Sequence, residues 1–367
     1  MDLQALNNRL TSNAFRASTS NHDVMNSTKV DIPQDLKTDL PPSKFGKILG
    51  ATPVVMAVVA TMLAGLSSSE MTRAQYDRSL GAQQQSKAGD QWSFFQAKRL
   101  RGAIQHNTAD LLQTVTAIHP FDPDALRQLT SQSSQVTSEE TDPLRKQLTS
   151  LLDSPAGQQA LSLLQSGQSP KIGAAQPLDP SIESAMKAVE TSTPDAEMEV
   201  LVNQVDEKTL NAALHSARDE AQAFDTATKS VNQAIDQLDT LLGGLSVLVH
   251  KSSSLSAEAK ASDPLVSAVR DFTAARLRYA SQRYEIEARL NQTIANLFEV
   301  QVRKSNIAAE HHHRRSQRFF YGMLGAQLGV IISTLAMAAK NRNLLWSIAA
   351  AAGLVAVAFA LYVFLYV

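Results

Sequence analysis

The residues with the clearest potential for site chemistry lie at positions 310–313, where Glu310 precedes three consecutive histidines. Imidazole nitrogens bind metal ions readily, so His311 and His313 are the candidate ligands. However, consecutive residues of an α-helix point about 100° apart, which prevents three adjacent histidines from binding one ion. This spacing therefore argues against a metal site.

A cluster of three arginines follows these histidines: Arg314, Arg315 and Arg318. Anionic lipid headgroups attract each such charge near a membrane surface by about 1 kcal/mol. We therefore interpret the arginines as a basic collar at a membrane surface.

The sequence contains no recognisable catalytic or cofactor motif. There is no Walker-type phosphate loop, no GxGxxG and no HExxH, and serine, histidine and aspartate lack catalytic spacing. No cysteine is present, which excludes disulfides, thiolate metal sites and cysteine nucleophiles. Lys plus Arg (34) nearly balance Asp plus Glu (35), which gives no argument for nucleic acid. We expect a protein that is not an enzyme and uses no cofactor.

Three apolar runs dominate the hydropathy pattern: Ile48 to Leu66, Phe319 to Ala339 and Leu344 to Val367. A transmembrane helix needs about 20 apolar residues, so each run predicts a span. Only four polar residues separate the last two runs, which predicts a tight helical hairpin. The polar stretch before the first run is too long for a signal peptide, so that run is predicted to be an uncleaved anchor. No run carries a charge, which argues against an ion relay.

Small residues mark one face of the second predicted span. Gly325 and Gly329 form a GxxxG step, and Gly322 extends the same face. Such a face lets two helix backbones approach closely in lipid. It predicts packing either among the three spans of one chain or between two copies.

Two long helices are predicted between the spans. The first continues from Ser67 to His119 without proline, and the second begins at Asp263-Pro264, a good helix start. Each would be roughly 80 Å long. Equal lengths predict an antiparallel, coiled-coil-like stalk outside the membrane. The second helix carries an apolar residue at nearly every seventh position: Leu265, Phe272, Tyr279, Ile286, Val300 and Ile307.

The stalk also predicts a register. Trp92 lies about 26 residues beyond the first span, roughly 39 Å along the helix, which is too far for an interfacial aromatic belt. On the returning helix, the residues at the same distance from the membrane lie near position 291. We therefore expect Trp92 or Phe95 to pack close to Leu290 or Ile294, with an aromatic ligand site as the alternative.

The region between the stalk helices is predicted to be helical and distal. Prolines 123, 143 and 155 separate short helical pieces, and residues 166–180 have the composition of a linker. A coiled-coil helix is predicted at about 205–242, ending or kinking at Gly243-Gly244. Its apolar positions alternate steps of four and three: Ala217, Ala221, Phe224, Val231, Ile235, Leu238, Leu242 and Leu245, with Thr228 interrupting them.

These patterns define an all-α protein with the following predicted segments. They are a disordered polar tail (1–43), a first transmembrane helix (44–66), an ascending stalk helix (67–119), a distal helical region (120–262), a descending stalk helix (263–318) and transmembrane helices at 319–339 and 344–367.

Residues 89–98 read Gly-Asp-Gln-Trp-Ser-Phe-Phe-Gln-Ala-Lys, just after the first span. With the basic hairpin at the C-terminus, this stretch resembles the bacterial membrane family catalogued as domain of unknown function 4337. The resemblance covers about 45–125 and 265–367, and the longer middle region departs from it. It implies three spans and a helical extramembrane domain, and it implies no activity.

The sequence thus predicts a multi-pass protein of the bacterial inner membrane, surrounded by the lipid bilayer. Its function is expected to be assembly or partner binding through the stalk, as a homo-oligomer or with another protein. A pore or transport-associated oligomer is the alternative. Lys and Arg are divided nearly evenly between the two membrane surfaces, so the side that the stalk faces is open.

Overall fold

The computed structural model describes residues 44–132, 142–170, 177–252, 264–339 and 342–366. All regular secondary structure in these ranges is helical, which confirms the predicted all-α class. The predicted polar tail, 1–43, and part of the predicted linker, 171–176, lie outside the described residues.

Nine helices follow one another in the described ranges. They are α1 (Lys44–Val115), α2 (Pro123–Gln132), α3 (Asp142–Asp153), α4 (Pro155–Ser166), α5 (Pro180–Glu190), α6 (Asp195–Gln204), α7 (Glu207–Ser252), α8 (Pro264–Ala338) and α9 (Arg342–Tyr366). Among them α1, α8 and α9 each contain a stretch that is long and apolar enough to cross a membrane.

The short helices begin where the sequence supplies caps and prolines. Ser154 accepts a hydrogen bond from the backbone N–H of Gly157 at 3.0 Å, and Pro155 follows as the first helical residue of α4. Asp179 caps α5 in the same way through Ser181. Gly167 ends α4 with φ 65°, a left-handed conformation that glycine adopts without strain. The prolines of this region therefore start helices.

Two predicted helix ends differ from the structure. The helix α7 continues through Gly243-Gly244 to Ser252, so a helix end at this pair was a wrong prediction. Leu245 is only 1% exposed in the core below α7, and its burial offsets the cost of about 1 kcal/mol per glycine. The helix α1 ends at Val115, before His119, whose backbone N–H donates to Asp271 on α8 at 2.9 Å.

Contacts between residues divide the chain into two compact units. The first unit holds described residues 44–61 and 323–358. Within it Met56 is 5% exposed and contacts Gly329 and Gly353, and Trp346 Nε1 donates to Thr52 Oγ1 at 3.0 Å. Large apolar side chains are exposed around this unit: Val54, Val55, Val58, Leu328, Ile331, Leu335, Ile348, Leu354 and Val355. Exposed side chains of this kind suit a lipid environment.

The second unit holds residues 62–322 and 359–366. Within it α1 and α8 run antiparallel. Ser67 contacts Ser316, Gln84 accepts a hydrogen bond from Ser305, and Gln113 accepts one from Arg278. Because the partner numbers fall as the α1 numbers rise, the helices must run in opposite directions. The predicted antiparallel pairing is confirmed.

The remaining helices of this unit build two apolar cores against α8. One core joins α2, α3, α4 and α7 to the first turns of α8, where Phe272 and Tyr279 are buried. The other joins α5, α6 and the first half of α7 to residues 294–300 of α8. The positions predicted along α7 are buried from Phe224 to Leu245, while Ala221 is half-buried.

Candidate functional site on the paired helices

The face that α1 turns toward α8 consists mainly of small and polar residues. From Ser67 onward the residues with reduced exposure recur at alternating steps of three and four, as expected for a continuous helix–helix contact. We call this set the α1 seam: Ser67, Glu70, Ala74, Asp77, Gly81, Gln84, Ala88, Gln91, Phe95, Lys98, Gly102, Gln105, Ala109 and Leu112.

Glycine in the α1 seam allows the two backbones to approach closely. A β-carbon placed at Gly102 would lie 3.4 Å from both the backbone oxygen of Ser281 and the β-carbon of Tyr284. One at Gly81 would lie 3.0 Å from Oδ1 of Asn306. At Gly102 these are ordinary van der Waals contacts, and at Gly81 the Asn306 side chain would have to shift. Side chains larger than alanine would therefore press on α8 at both positions.

Ser67 and Ser316 link the helices by a reciprocal pair of hydrogen bonds. The Ser67 hydroxyl donates to the Ser316 carbonyl oxygen at 2.9 Å, and the Ser316 hydroxyl donates to the Ser67 carbonyl oxygen at 2.8 Å. Both residues are buried. In the sequence they lie next to the apolar runs, at residues 48–66 and 319–339.

One turn further along α1, a buried carboxylate faces a histidine and an arginine of α8. Glu70 is 7% exposed, and its Oε2 lies 2.6 Å from Nδ1 of His312. Its Oε1 lies 3.7 Å from the guanidinium of Arg315 and 3.5 Å from that of Arg73. The other ring nitrogen of His312, Nε2, lies 3.9 Å from Asp77. We call these five residues the Glu70 cluster.

The Glu70 cluster ties α1 to α8 through the hydrogen bond and ion pair of a buried carboxylate. A carboxylate this buried is stabilised only when hydrogen bonds and opposite charges compensate its lost hydration. The imidazole of His312 faces a carboxylate through each ring nitrogen, and Arg315 adds a permanent positive charge. Among the described residues no group of three or more His, Asp or Glu side chains could hold a metal ion.

The residues predicted as metal candidates point in different directions. His311 is exposed, and its ring meets the His312 ring edge-on at 5.8 Å. His313 Nε2 lies 2.9 Å from the amide nitrogen of Gln317 on the next turn. Only His312, which lies between the two candidates, reaches the α1 seam.

The predicted basic collar divides between two environments. Arg315 turns inward to Glu70, whereas Arg314 is exposed and pairs with Glu310 at 3.0 Å between Nε and Oε1. Arg318 is half-buried. The contact of these arginines with lipid headgroups stays a prediction.

The predicted aromatic contact of the stalk is placed as follows. Trp92 and Phe95 are half-buried and meet edge-on, with their ring centroids 5.5 Å apart. Phe95 lines an open cavity of about 500 Å³ together with Ala288 and Gln292 of α8. Ile294 is buried in the core formed with α5 and α6. Packing of Trp92 or Phe95 on Leu290, which is half-buried, or on Ile294 stays a prediction.

The three predicted glycines of the second apolar run have different surroundings. A β-carbon at Gly322 would lie 3.5 Å from Leu63 and 3.6 Å from Phe359, all three in the second unit. One at Gly329, in the first unit, would overlap the Met56 side chain. One at Gly325 would meet nothing within 4 Å. Gly329 therefore packs on another span candidate of the same chain.

Of the Glu70 cluster, the sequence predicted only Arg315, as part of the basic collar. The other four members and the two serines were not among the predicted site residues. Charged and hydroxyl side chains directly after an apolar run suggest a membrane surface, and the sequence predicts that role for the arginines. The missed signal is a small residue at nearly every seventh position of α1: Ser67, Ala74, Gly81, Ala88, Gly102 and Ala109. Such a series predicts a closely packed helix partner.

In the described part of the second unit, three groups have perturbed pKa values. Burial raises the pKa of Tyr279, which is 2% exposed, to about 12. Hydrogen bonds from Ser181 lower the pKa of Asp179, and hydrogen bonds from Thr209 lower that of Asp206. Both aspartates lie just before a helix, so these shifts reflect helix capping and indicate no catalysis.

Fold and cluster together define an all-helical protein with three helices that are long and apolar enough to cross a membrane. Residues 45–154 match the family model described as Domain of unknown function (DUF4337). This match confirms the resemblance predicted from the segment around Trp92. It extends further into the middle region than predicted and does not include residues 265–367. No curated protein and no solved structure matches the chain.

Proposed function

We propose that the protein is a non-enzymatic, multi-pass protein of the bacterial inner membrane whose paired helices act as a rigid arm for assembly or partner binding. The observation that carries this proposal is the length of the α1–α8 pairing. It runs from Ser67–Ser316 to His119–Asp271. Residues 271–316 of α8, at about 1.5 Å per residue, correspond to roughly 70 Å.

Polar contacts at several heights support a rigid arm with a fixed register. Lys98 pairs with Glu287, Gln84 accepts a hydrogen bond from Ser305, and Arg278 donates one to Gln113 at 3.1 Å. A helix pair held by polar groups loses those partners when it slides by one turn. Such specificity suits a structural arm.

An open depression on the surface also supports a non-enzymatic role. This depression of about 830 Å³ lies between α3 and α7, and its lining includes Lys146, Ser150, Asp236 and Thr240. Its polar side chains show no nucleophile–base pairing, which an enzyme of acyl or phosphoryl transfer would need.

The test is to purify the full-length chain in a gentle detergent and measure its mass by size-exclusion chromatography with light scattering. We expect recovery from the membrane fraction and either a homo-oligomer or a stoichiometric partner. A strictly monomeric chain without a partner would overturn the proposal.

The alternative, a pore or transport-associated subunit, receives less support from the packing. A pore built from the C-terminal hairpin would need its small-residue face for contacts between copies, whereas Gly329 and Gly353 both face Met56 of the same chain. Ion flux through liposomes containing a confirmed oligomer would favour the pore, and absence of flux would remove it.

A further inference from the structure

The open cavity beside Phe95 is a groove between α1 and α8 with a volume of about 500 Å³. We call it the Phe95 groove. Its deepest residues have little or no side chain, since Gly102 and Ala288 are buried and Ser281 is half-buried. The groove exists because neither helix fills this part of the contact with a large side chain. A volume of this size is typical of sites that bind small molecules.

The two helices line the Phe95 groove with the same spacing. Residues 95, 99, 102, 103 and 106 of α1 and residues 281, 285, 288, 289 and 292 of α8 follow the same intervals, and each set lies on one helix face. A β-carbon at Gly102 would lie 3.4 Å from the backbone oxygen of Ser281 and 3.8 Å from the backbone nitrogen of Glu285. Because the helices are antiparallel, Arg99 then lies at the level of residues 288 and 289.

Cationic side chains exceed acidic ones in the lining of the Phe95 groove. Arg289 pairs with Glu285, and His106 Nε2 lies 3.4 Å from Oδ2 of Asp110. Arg99 is exposed, and within the described ranges it forms no ion pair with a carboxylate. Its guanidinium is therefore available for an anion. The planar fork of nitrogens in arginine matches a carboxylate or phosphate group in shape and charge.

An aromatic surface lies next to this guanidinium. The guanidinium carbon of Arg99 lies 5.9 Å from the centroid of the Phe95 ring, which lines the groove. Trp92 supports Phe95 from the previous turn, with the two rings edge-on at 5.5 Å. A flat ring bound in the groove can stack on Phe95 or on the face of the guanidinium. The groove thus offers a charge contact and a stacking contact side by side.

We propose that the Phe95 groove binds a small molecule that combines an aromatic ring with a carboxylate or phosphate group. Arg99 contacts the anionic group, and Phe95 contacts the ring. This inference goes beyond the proposed assembly function and does not depend on it.

The first test compares two probes of the same shape, benzoate and its neutral isostere benzamide. Saturation-transfer NMR on the full-length chain in a gentle detergent measures their binding, with empty micelles as the blank. We expect benzoate to bind at least about tenfold more tightly than benzamide. Benzoate that fails to bind up to about 10 mM, or that binds no better than benzamide, would overturn the proposal.

A matched pair of arginine variants locates the anion contact. Arg99→Gln should weaken benzoate binding by at least about tenfold. Arg101→Gln removes the same charge from an exposed position of α1 that points about 160° away from Arg99, and it should change the affinity little. Equal losses in both variants would indicate general attraction to a basic surface and would contradict a built site.

A second matched pair tests the groove by its shape and leaves every charge in place. Ala103→Phe fills the groove with a ring and should abolish benzoate binding, whereas Ala97→Phe places the same ring on another face of α1. Ala97 and Ala103 are both exposed, so both variants should keep the helical content of the wild type by circular dichroism. Unchanged benzoate affinity in Ala103→Phe would show that the anion binds elsewhere, and the proposal would fail.

Discussion

Ser67 and Ser316 hold the backbones of α1 and α8 together by donating their hydroxyls to each other's carbonyl oxygens. Because a serine side chain is short, these bonds form only where two helices lie nearly in backbone contact. Their two hydroxyl oxygens are 3.2 Å apart. The serines thus fix both the spacing and the register of the pair at one end.

Replacing Ser67 with leucine should separate the helices. Leucine is too large for the contact with Ser316, and overpacking of this kind costs about 1–3 kcal/mol. We expect a lower melting temperature for Ser67→Leu by circular dichroism in detergent. Ser68→Leu is the matched control, because Ser68 is exposed and its substitution should change stability little. Equal effects of both variants would contradict the contact.

Removing the charge of Glu70 should destabilise the pair in a different way. Glu70→Gln keeps the shape of the side chain but leaves His312 and Arg315 facing a neutral amide at a buried position. We expect a loss of about 1–3 kcal/mol in the free energy of unfolding. Glu285→Gln, at an exposed ion pair with Arg289, should lose less than about 1 kcal/mol. Urea denaturation of both variants measures the difference.

Substituting leucine for two glycines of α1 should change the stability of the protein in opposite directions. Gly102→Leu would push against Ser281 and Tyr284 and is expected to destabilise the protein by about 1–3 kcal/mol. Gly89 has no neighbouring atoms within 4 Å of its added β-carbon. Gly89→Leu should therefore stabilise the helix by roughly 0.5–1 kcal/mol, because glycine is a poor helix former. Thermal unfolding of the two variants side by side gives the comparison.

The raised pKa of Tyr279 predicts that the folded protein loses stability at high pH. Below pH 10 the phenol of Tyr279 is neutral in both the folded and the unfolded chain, so its contribution to the free energy of unfolding does not change with pH. Between pH 10 and about 12 the phenol of Tyr279 ionises only in the unfolded chain, because burial raises its pKa in the folded chain to about 12. The free energy of unfolding then falls by at most about 1.4 kcal/mol per pH unit.

The Tyr279→Phe variant checks this dependence. It should lose the hydrogen bond to Asn232, about 1 kcal/mol at neutral pH, and show a shallower decline between pH 10 and 12 than the wild type. Tyr76→Phe, at a position that is 68% exposed, should keep the slope of the wild type. Identical slopes for all three proteins would show that Tyr279 ionises freely.

Packing within the first unit predicts different responses at Gly325 and Gly329. Gly329→Leu would collide with Met56, whereas Gly325→Leu would enter open space. We expect Gly329→Leu to lower the resistance of the purified protein to unfolding in sodium dodecyl sulfate, and Gly325→Leu to leave it nearly unchanged. The reverse order would contradict the contact between Met56 and Gly329.

The sequence predicted those helices whose buried residues are large and apolar. The apolar series that includes Phe272 and Tyr279 predicted α8, and the series ending at Leu245 predicted α7. Large apolar side chains at a seven-residue spacing can be recognised in a sequence without knowing which helix they pack against. The family model confirmed a resemblance that rests on the residues around Trp92.

The α1 seam could not be predicted from apolar periodicity, because its residues are small, amide-bearing or charged. Whether Glu70 is exposed or buried depends on His312 and Arg315, which lie more than 240 positions away in the sequence. Pairing over such a separation is decided by shape and charge in the folded chain. The helices α5 and α6 lie in a stretch for which the sequence suggested no definite element.

The 249 positions between Ser67 and Ser316 have a consequence for how the protein is made. At about 5–20 residues per second, a ribosome completes α8 roughly 10–50 s after it has released α1. Throughout that interval the face of α1 that will meet α8 has no partner. A face of serine, glycine, alanine, glutamine and carboxylate tolerates water during this wait, whereas a leucine-rich face would invite aggregation. The polar character of the seam thus protects the nascent chain until its partner emerges.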